Sequence, residues 1–390
     1  MIRTLRSATA LTLVLAFGSP ALAADAQALA DSITRQLAKS AVTFTVESAE
    51  EDGDDVVLKG VTIKPGDNNP AEIAEIRLKD VEESDDRFRV GEIEAPEMTV
   101  AKEGKTLDFA GASFTGLIVP KENNTDPLLS GSMMLEGAEI GELSVTDGDK
   151  TVFAMEGASY SATPYEPGAV MDTSLEINGL QADFSTVEDP KVRGTMAALG
   201  YEQLAGDVSL KGSWNPADGR MQITEYKLDV DDAAAINLTL DIGGMTSQFI
   251  QQANELVAKQ RAGEIKEEAM GFAMLGLMQQ LSLNGAQLRL DDASLTGKLL
   301  DFAAAQQGAK REDVVNMAKG MMPMFLMRLQ NPDFATKTAN AAGAYLDDPQ
   351  SLTVTVAPAN PVPFAQIMGA AMSAPNTIPD VLGVAVTAND

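Results

Sequence analysis

The sequence predicts an α+β protein: an extended antiparallel β meander forming a curved sheet, followed by a helix-rich C-terminal part with a small sheet. Three observations carry that expectation. From about residue 42 to Gly244, apolar residues alternate with polar ones, and Gly, Pro, Asn and Asp punctuate the chain every ten or so residues, as strands joined by tight turns require. Beyond Gly244 the apolar period becomes helical, through Phe249, Ile250, Leu256, Val257 and Ile265. Short alternating runs then return between helices, at Leu352, Val354 and Val356 and at Leu382, Val384 and Val386, so the last third mixes both element types.

The first segment reads as an address. Arg3 and Arg6 precede an uncharged apolar stretch from Ala8 to Phe17, and Ala21 and Ala23 flank Leu22; these are the three regions of a secretory signal, with cleavage expected after Ala23. Removing residues 1–23 takes away two arginines and no acid, which moves the net charge from −28 to −30. No cysteine follows the cut, so lipid attachment there is excluded, and no later stretch reaches 18 uninterrupted apolar residues. The expectation is a protein exported to the periplasm with no membrane span after cleavage, in two parts: residues 24–244, a helix plus a β domain, and residues 245–390, a helix-rich α+β domain.

Ala24 to Ser40 carries Leu29, Ile33 and Leu37 at four-residue spacing, which predicts an amphipathic helix packed on the first sheet. Val42, Phe44 and Val46 begin the strands; Val56 to Ile63 follows and ends at Lys64-Pro65-Gly66-Asp67, a turn sequence. Val208 to Trp214 runs into Asn215-Pro216-Ala217-Asp218-Gly219, and Met221 to Val230 into Asp231-Asp232, as long hairpins do. Three segments share an apolar, small, acidic, apolar order: Ile73-Ala74-Glu75-Ile76, Val90-Gly91-Glu92-Ile93 and Ile140-Gly141-Glu142-Leu143. Residues three apart fall on opposite faces of a regular strand, so each copy marks a strand start or a bulge.

In the C-terminal part, Thr246 to Gln280 suits one helix or two broken near Gly263. A strand with Leu283, Leu288 and Leu290 follows, then a helix from Ser294 to Gly308. Glu312 to Leu329 and Pro332 to Leu346 are further helices, the second with Asn331 as cap and Pro332 as its first residue. Pro361 to Met372 forms a short helix before the last strand.

The chemistry is bounded by what is missing. With 0 histidines and 0 cysteines, the commonest general base, the usual zinc ligands and thiol nucleophiles are excluded, so no catalytic residue, metal or cofactor is assigned. Carboxylate-only glycoside hydrolysis survives as the remaining enzymatic option. The acidity argues against nucleic acid and against adsorption to anionic lipid. Acidic clusters at Glu50, Glu51, Asp52, Asp54 and Asp55 and at Asp229, Asp231 and Asp232 lack the pattern of a calcium loop and read as solvated turns. Trp214 reads as a hairpin-end aromatic. The positive signal is a run of methionines: Met317, Met321, Met324 and Met327 with Phe325. Soft side chains at this spacing fill an irregular core, line an adaptable apolar groove or ligate Cu(I), and Pro323 among them starts or kinks a helix.

Leu290-Asp291-Asp292-Ala293-Ser294-Leu295, Tyr345-Leu346-Asp347-Asp348-Pro349-Gln350-Ser351-Leu352, Pro361-Val362-Pro363 and Leu382-Gly383-Val384 resemble segments of uncharacterised exported proteobacterial proteins. The long meander with its Ile-Gly-Glu-Leu starts resembles AsmA-like envelope proteins, which implies a grooved β structure that handles lipids. Neither resemblance supplies catalytic residues. The functional expectation is a non-enzymatic envelope protein that offers an apolar groove to a lipid-like ligand or a protein partner, with Met317, Met321, Met324, Phe325 and Met327 as its candidate lining. The alternatives are a structural scaffold and the carboxylate-only hydrolase.

Overall fold

A computed structural model describes residues 24–390 apart from 67–68 and 130–132. The expected signal segment and Asp67 of the first turn lie outside the described residues. The first helix, α1 (Ala26–Lys39), starts at Asp25, whose carboxylate accepts the Ala28 N–H, an ordinary N-cap.

After α1, β1 (Val42–Thr45) and β2 (Ser48–Asp52) both pair with β3 (Asp55–Pro65), and β3 pairs with β4 (Ala71–Glu83). Four long strands follow, each interrupted near its middle: β5 (Arg87–Ala95) with β6 (Met98–Lys102), β7 (Lys105–Phe109) with β8 (Ala112–Pro120), β9 (Gly137–Ile140) with β10 (Leu143–Asp147), and β11 (Lys150–Met155) with β12 (Gly157–Ala162). The meander continues through β13 (Met171–Asp183), α2 (Pro190–Leu199), β14 (Gln203–Asn215), β15 (Arg220–Val230) and β16 (Ala234–Gly243). Helices then interrupt it: α3 (Ser247–Arg261) and α4 (Glu267–Met278) before β17 (Ser282–Asp292), and α5 (Leu295–Gln307), α6 (Arg311–Leu326) and α7 (Pro332–Asp347) before β18 (Ser351–Val356). β19 (Val362–Pro363), α8 (Phe364–Ser373) and α9 (Ile378–Val381) precede the last strand, β20 (Val384–Ala388).

The α+β class holds, and one open, curved antiparallel sheet contains all these strands. The small C-terminal sheet expected from the sequence is not separate: β17 pairs with β16, β18 with β17 and β20 with β18. A helical insertion leaves the strands on either side free to pair, and local periodicity does not say to which edge a strand returns. A second correction concerns the stretch read as strands throughout, which contains α2. Asp189 caps that helix, Pro190 is its first residue, and Gly200, at φ +69°, ends it, the usual Pro-in, Gly-out arrangement. The break expected near Gly263 separates α3 from α4. Ser294 does not cap α5 with its side chain; its hydroxyl meets Tyr201, while the Asp292 carboxylate accepts the Thr296 N–H.

The long strands keep their apolar residues on one face by a repeated device. Gly60, Gly116 and Gly179 lie inside strands at φ +58°, +65° and +62°, a region that L side chains occupy at a cost. Glu47, Glu136 and Glu156 stand over them, donating their backbone N–H groups to the carbonyls of Lys59, Thr115 and Asn178. At each such residue the alternation reverses, so apolar residues three apart face the same way: Leu58 and Val61 both enter one buried cluster, as do Leu78 and Val81 across Asp80, which has φ +50°. Val90 and Ile93, from the acidic repeat, straddle Gly91 opposite Asp80 and reach that same cluster. The repeat marks a strand irregularity, as its spacing requires.

The main core lies under α1, where Leu29, Ala30 and Ile33 pack against Val56, Leu58, Leu78, Phe88 and Val119. A smaller cluster joins Phe249, Leu277 and Leu281. Beyond α1 most apolar positions of the sheet are only partly buried, so much of the sheet stands uncovered.

Two substitutions test this architecture. Leu29→Ala, at a site with no exposure, should cost about 3 kcal/mol, measured as a lowered urea midpoint with an unchanged slope. Gly60→Ala should cost about 2 kcal/mol from the left-handed backbone and more from the clash, because an added Cβ would meet Glu47 Cγ at 2.4 Å. Removing that side chain in a Gly60→Ala, Glu47→Ala double variant should recover only the clash component.

Candidate functional site

Directly opposed residues of an antiparallel sheet point to the same side, so the register defines what each face presents. One row crosses the sheet without a polar interruption. It begins with Val56 opposite Leu78, Leu78 opposite Ile93, and Ile93 opposite Phe114. Phe114 faces Ala138, Ala138 faces Tyr160, and Tyr160 faces Leu175. The row continues through Leu210, Tyr226 and Leu238 and ends through Leu288, Val354 and Val386. That is twelve inter-strand steps, about 58 Å at the usual strand spacing.

A parallel row two residues along each strand is apolar as well: Ile140, Ala158, Ile177, Val208, Leu228 and Ile236 oppose one another in turn. The other face is its complement. Glu139, Ser159, Glu176, Ser209, Lys227 and Asn237 form an equally continuous polar row. Ion pairs lace that face, including Lys227 with Asp229 at 2.6 Å and Arg220 with Asp241 at 2.6 Å. The sheet is therefore amphipathic from β9 to β16.

Cover over the apolar row is uneven. At its start Val56 and Leu78 are 1% and 2% exposed beneath α1. From Phe114 to Leu238 the row is half-buried, and Leu288 is 48% exposed. Among the described residues the central row belongs to neither buried cluster. The result is an apolar gutter, filled by the protein's own helix at one end and open along its middle. Burial raises the pKa of the Tyr160 hydroxyl within it, as a poorly solvated surrounding does. Trp214 closes one side of the gutter, opposite Met171 and Met221, with its indole N–H donated to the Met245 carbonyl at 2.7 Å.

The methionines expected to line a groove lie elsewhere. Met317, Met321, Met324 and Phe325 are exposed on α6, and Met327 is exposed just beyond it, so the core reading fails for these side chains. Pro323 is accommodated inside α6, which continues to Leu326 before a single tighter turn. Several members of the acidic clusters are ion-paired: Glu50 with Lys59 at 2.7 Å, Asp52 and Asp55 with Arg77, and Asp229 with Lys227. An open cleft of about 770 Å³ lies between β11, β13, β14 and α5, lined by Lys150, Asp183 and Lys298 and by apolar Phe153 and Leu204 among others; the Lys298 ammonium sits 3.7 Å above the Tyr201 ring, a cation–π contact that ties α5 to the segment just before β14.

A family model described only as an uncharacterized protein matches residues 227–389, from within β15 to the end of β20. No curated protein matches the chain. The match covers the strands and helices at the open end of the gutter.

The polar face gives a pH test. Its hydrogen bonds to the Arg220 guanidinium, and then to Asn284 and Gln222, hold the Asp241 carboxyl below its ordinary range. A lowered native pKa adds stability that is complete above the unfolded value and is lost as pH falls through the native one. Arg220→Gln should therefore lower the urea midpoint at pH 7, and variant and wild type should converge only as pH falls below the lowered native value of Asp241.

Proposed function

We propose that this chain is a non-enzymatic protein of the bacterial envelope, exported to the periplasm, that holds a lipid-like ligand along the open part of its apolar gutter. The observation that carries the reading is the unbroken row from Val56 to Val386, buried where α1 lies on it and only partly buried beyond, up to 48% exposure at Leu288. Contiguous apolar surface of this extent is unfavourable in water, and each methylene transferred to such a surface gains about 0.8 kcal/mol. The gutter offers carbon and almost no hydrogen-bonding partner. An extended peptide laid across it would leave its own N–H and C=O groups unsatisfied, whereas an acyl chain has none. The signal-like start, the absence of histidine and cysteine, and perturbed acids such as Asp241 and Glu225 that sit in ion pairs support the exported, non-catalytic part.

One observation favours a second reading, a protein partner. The occupant visible at the closed end is α1, an amphipathic helix whose backbone is satisfied internally, so a partner's helix would suit the open part by the same physics.

The experiment is native mass spectrometry with organic extraction on protein purified without detergent. A stoichiometric apolar passenger is expected. Leu210→Glu combined with Leu238→Glu, both at half-exposed positions, should cut its occupancy at least tenfold (about 1.4 kcal/mol) while the circular dichroism spectrum stays unchanged. A clean mass that takes up no added phospholipid or fatty acid would end the lipid reading and leave the helical partner.

A further inference from the structure

We infer that the exposed apolar stripe of α6 is a docking surface for the face of an uncharged or zwitterionic lipid bilayer. Met317, Met321, Met324 and Phe325 recur at helical spacing on α6, each between 42% and 55% exposed, and Met327 follows at 65%. Such a row on one helix face is what an interfacial helix buries among acyl chains. Methionine and phenylalanine suit that setting: flexible thioethers adapt to a disordered surface, and the aromatic ring adds apolar area with little polarity.

Charge decides which occupant fits. The chain carries −28 overall, yet residues 247–347, from the start of α3 to the end of α7, hold ten Lys or Arg and eleven Asp or Glu, a net of −1. Nearly all of the negative charge that would repel a membrane surface lies outside this helical stretch. Basic groups flank the stripe: Lys319 pairs with Asp347 and Arg311 with Asp301, whereas Arg328, beside Met327, has no ion-pair partner among the described residues. A guanidinium there is placed to meet a lipid phosphate as the apolar side chains enter. The balance is close to neutral rather than basic, which points to zwitterionic lipid and to binding driven by apolar contact.

This inference does not depend on what fills the gutter. The test is methionine oxidation by dilute peroxide, read by peptide mass spectrometry on the full chain, with and without vesicles of a saturated phosphatidylcholine. Vesicles should slow oxidation of Met321, Met324 and Met327 at least fivefold and leave Met98, half exposed on β6, unchanged. The protection should survive 1 M NaCl and disappear from Met321 and Met327 in a Met324→Asp, Phe325→Asp variant, which changes only exposed side chains and should keep any gutter passenger. Equal oxidation with and without vesicles would overturn the proposal. Protection that instead grows with protein concentration in the absence of lipid would overturn it in favour of contact between copies of the chain.

Discussion

Register is the constraint on which the rest of this structure depends. Each strand alternates between apolar and polar residues, so a slip of one position would set a charged, amide or Ser/Thr side chain against the apolar row. At β14 and β15, for example, Leu210 faces Tyr226 while their neighbours Lys211 and Glu225 oppose each other on the other side. A one-residue shift would bring Leu210 against a charge. The burial that fixes register in a sandwich is available here only under α1; over the middle of the sheet, cross-strand apolar pairs on one face and ion pairs on the other must fix it together.

The left-handed residues extend that logic along the strands. A long strand in a strongly curved sheet cannot keep one face toward the same side without a local break, and Gly60, Asp80, Gly116 and Gly179 supply the breaks. Glutamates occupy the space above the three glycines, and Glu136 is held by Arg89 at 2.6 Å. The same sites create the closed end: Leu58 with Val61, and Leu78 with Val81, face α1 from both sides of a break. Curvature, the width of the gutter and the seat of the first helix thus share one cause.

Much of the fold was legible. The caps at Asn331 and Gly308, the break at Gly263 and the strand-to-helix change near Gly244 follow from local chemistry and appear as read. The irregularity implied by apolar residues three apart was legible too, because it rests on a geometric impossibility in a regular strand. The gutter itself was not. Val208, Leu210 and Trp214 alternate in the same way whether their face is packed or open, and only the tertiary structure shows which. For the methionines the residues were visible but the environment was not: Met321 and Met324 have the same spacing on a buried face as on an exposed one. The return of β17 to β16 after two helices was hidden because strand pairing is non-local.

An open apolar face and an exposed methionine stripe would ordinarily lead to aggregation. The distribution of charge offsets this. Nearly all of the net charge of −28 lies outside the helical stretch that carries the stripe, and the polar face of the sheet presents acids such as Glu176 and Asp229 in rows. Two molecules approaching sheet to sheet therefore repel one another, while the near-neutral helices remain free to meet an uncharged surface. The acidity that argues against nucleic acid also disfavours contact between the apolar surfaces of two copies.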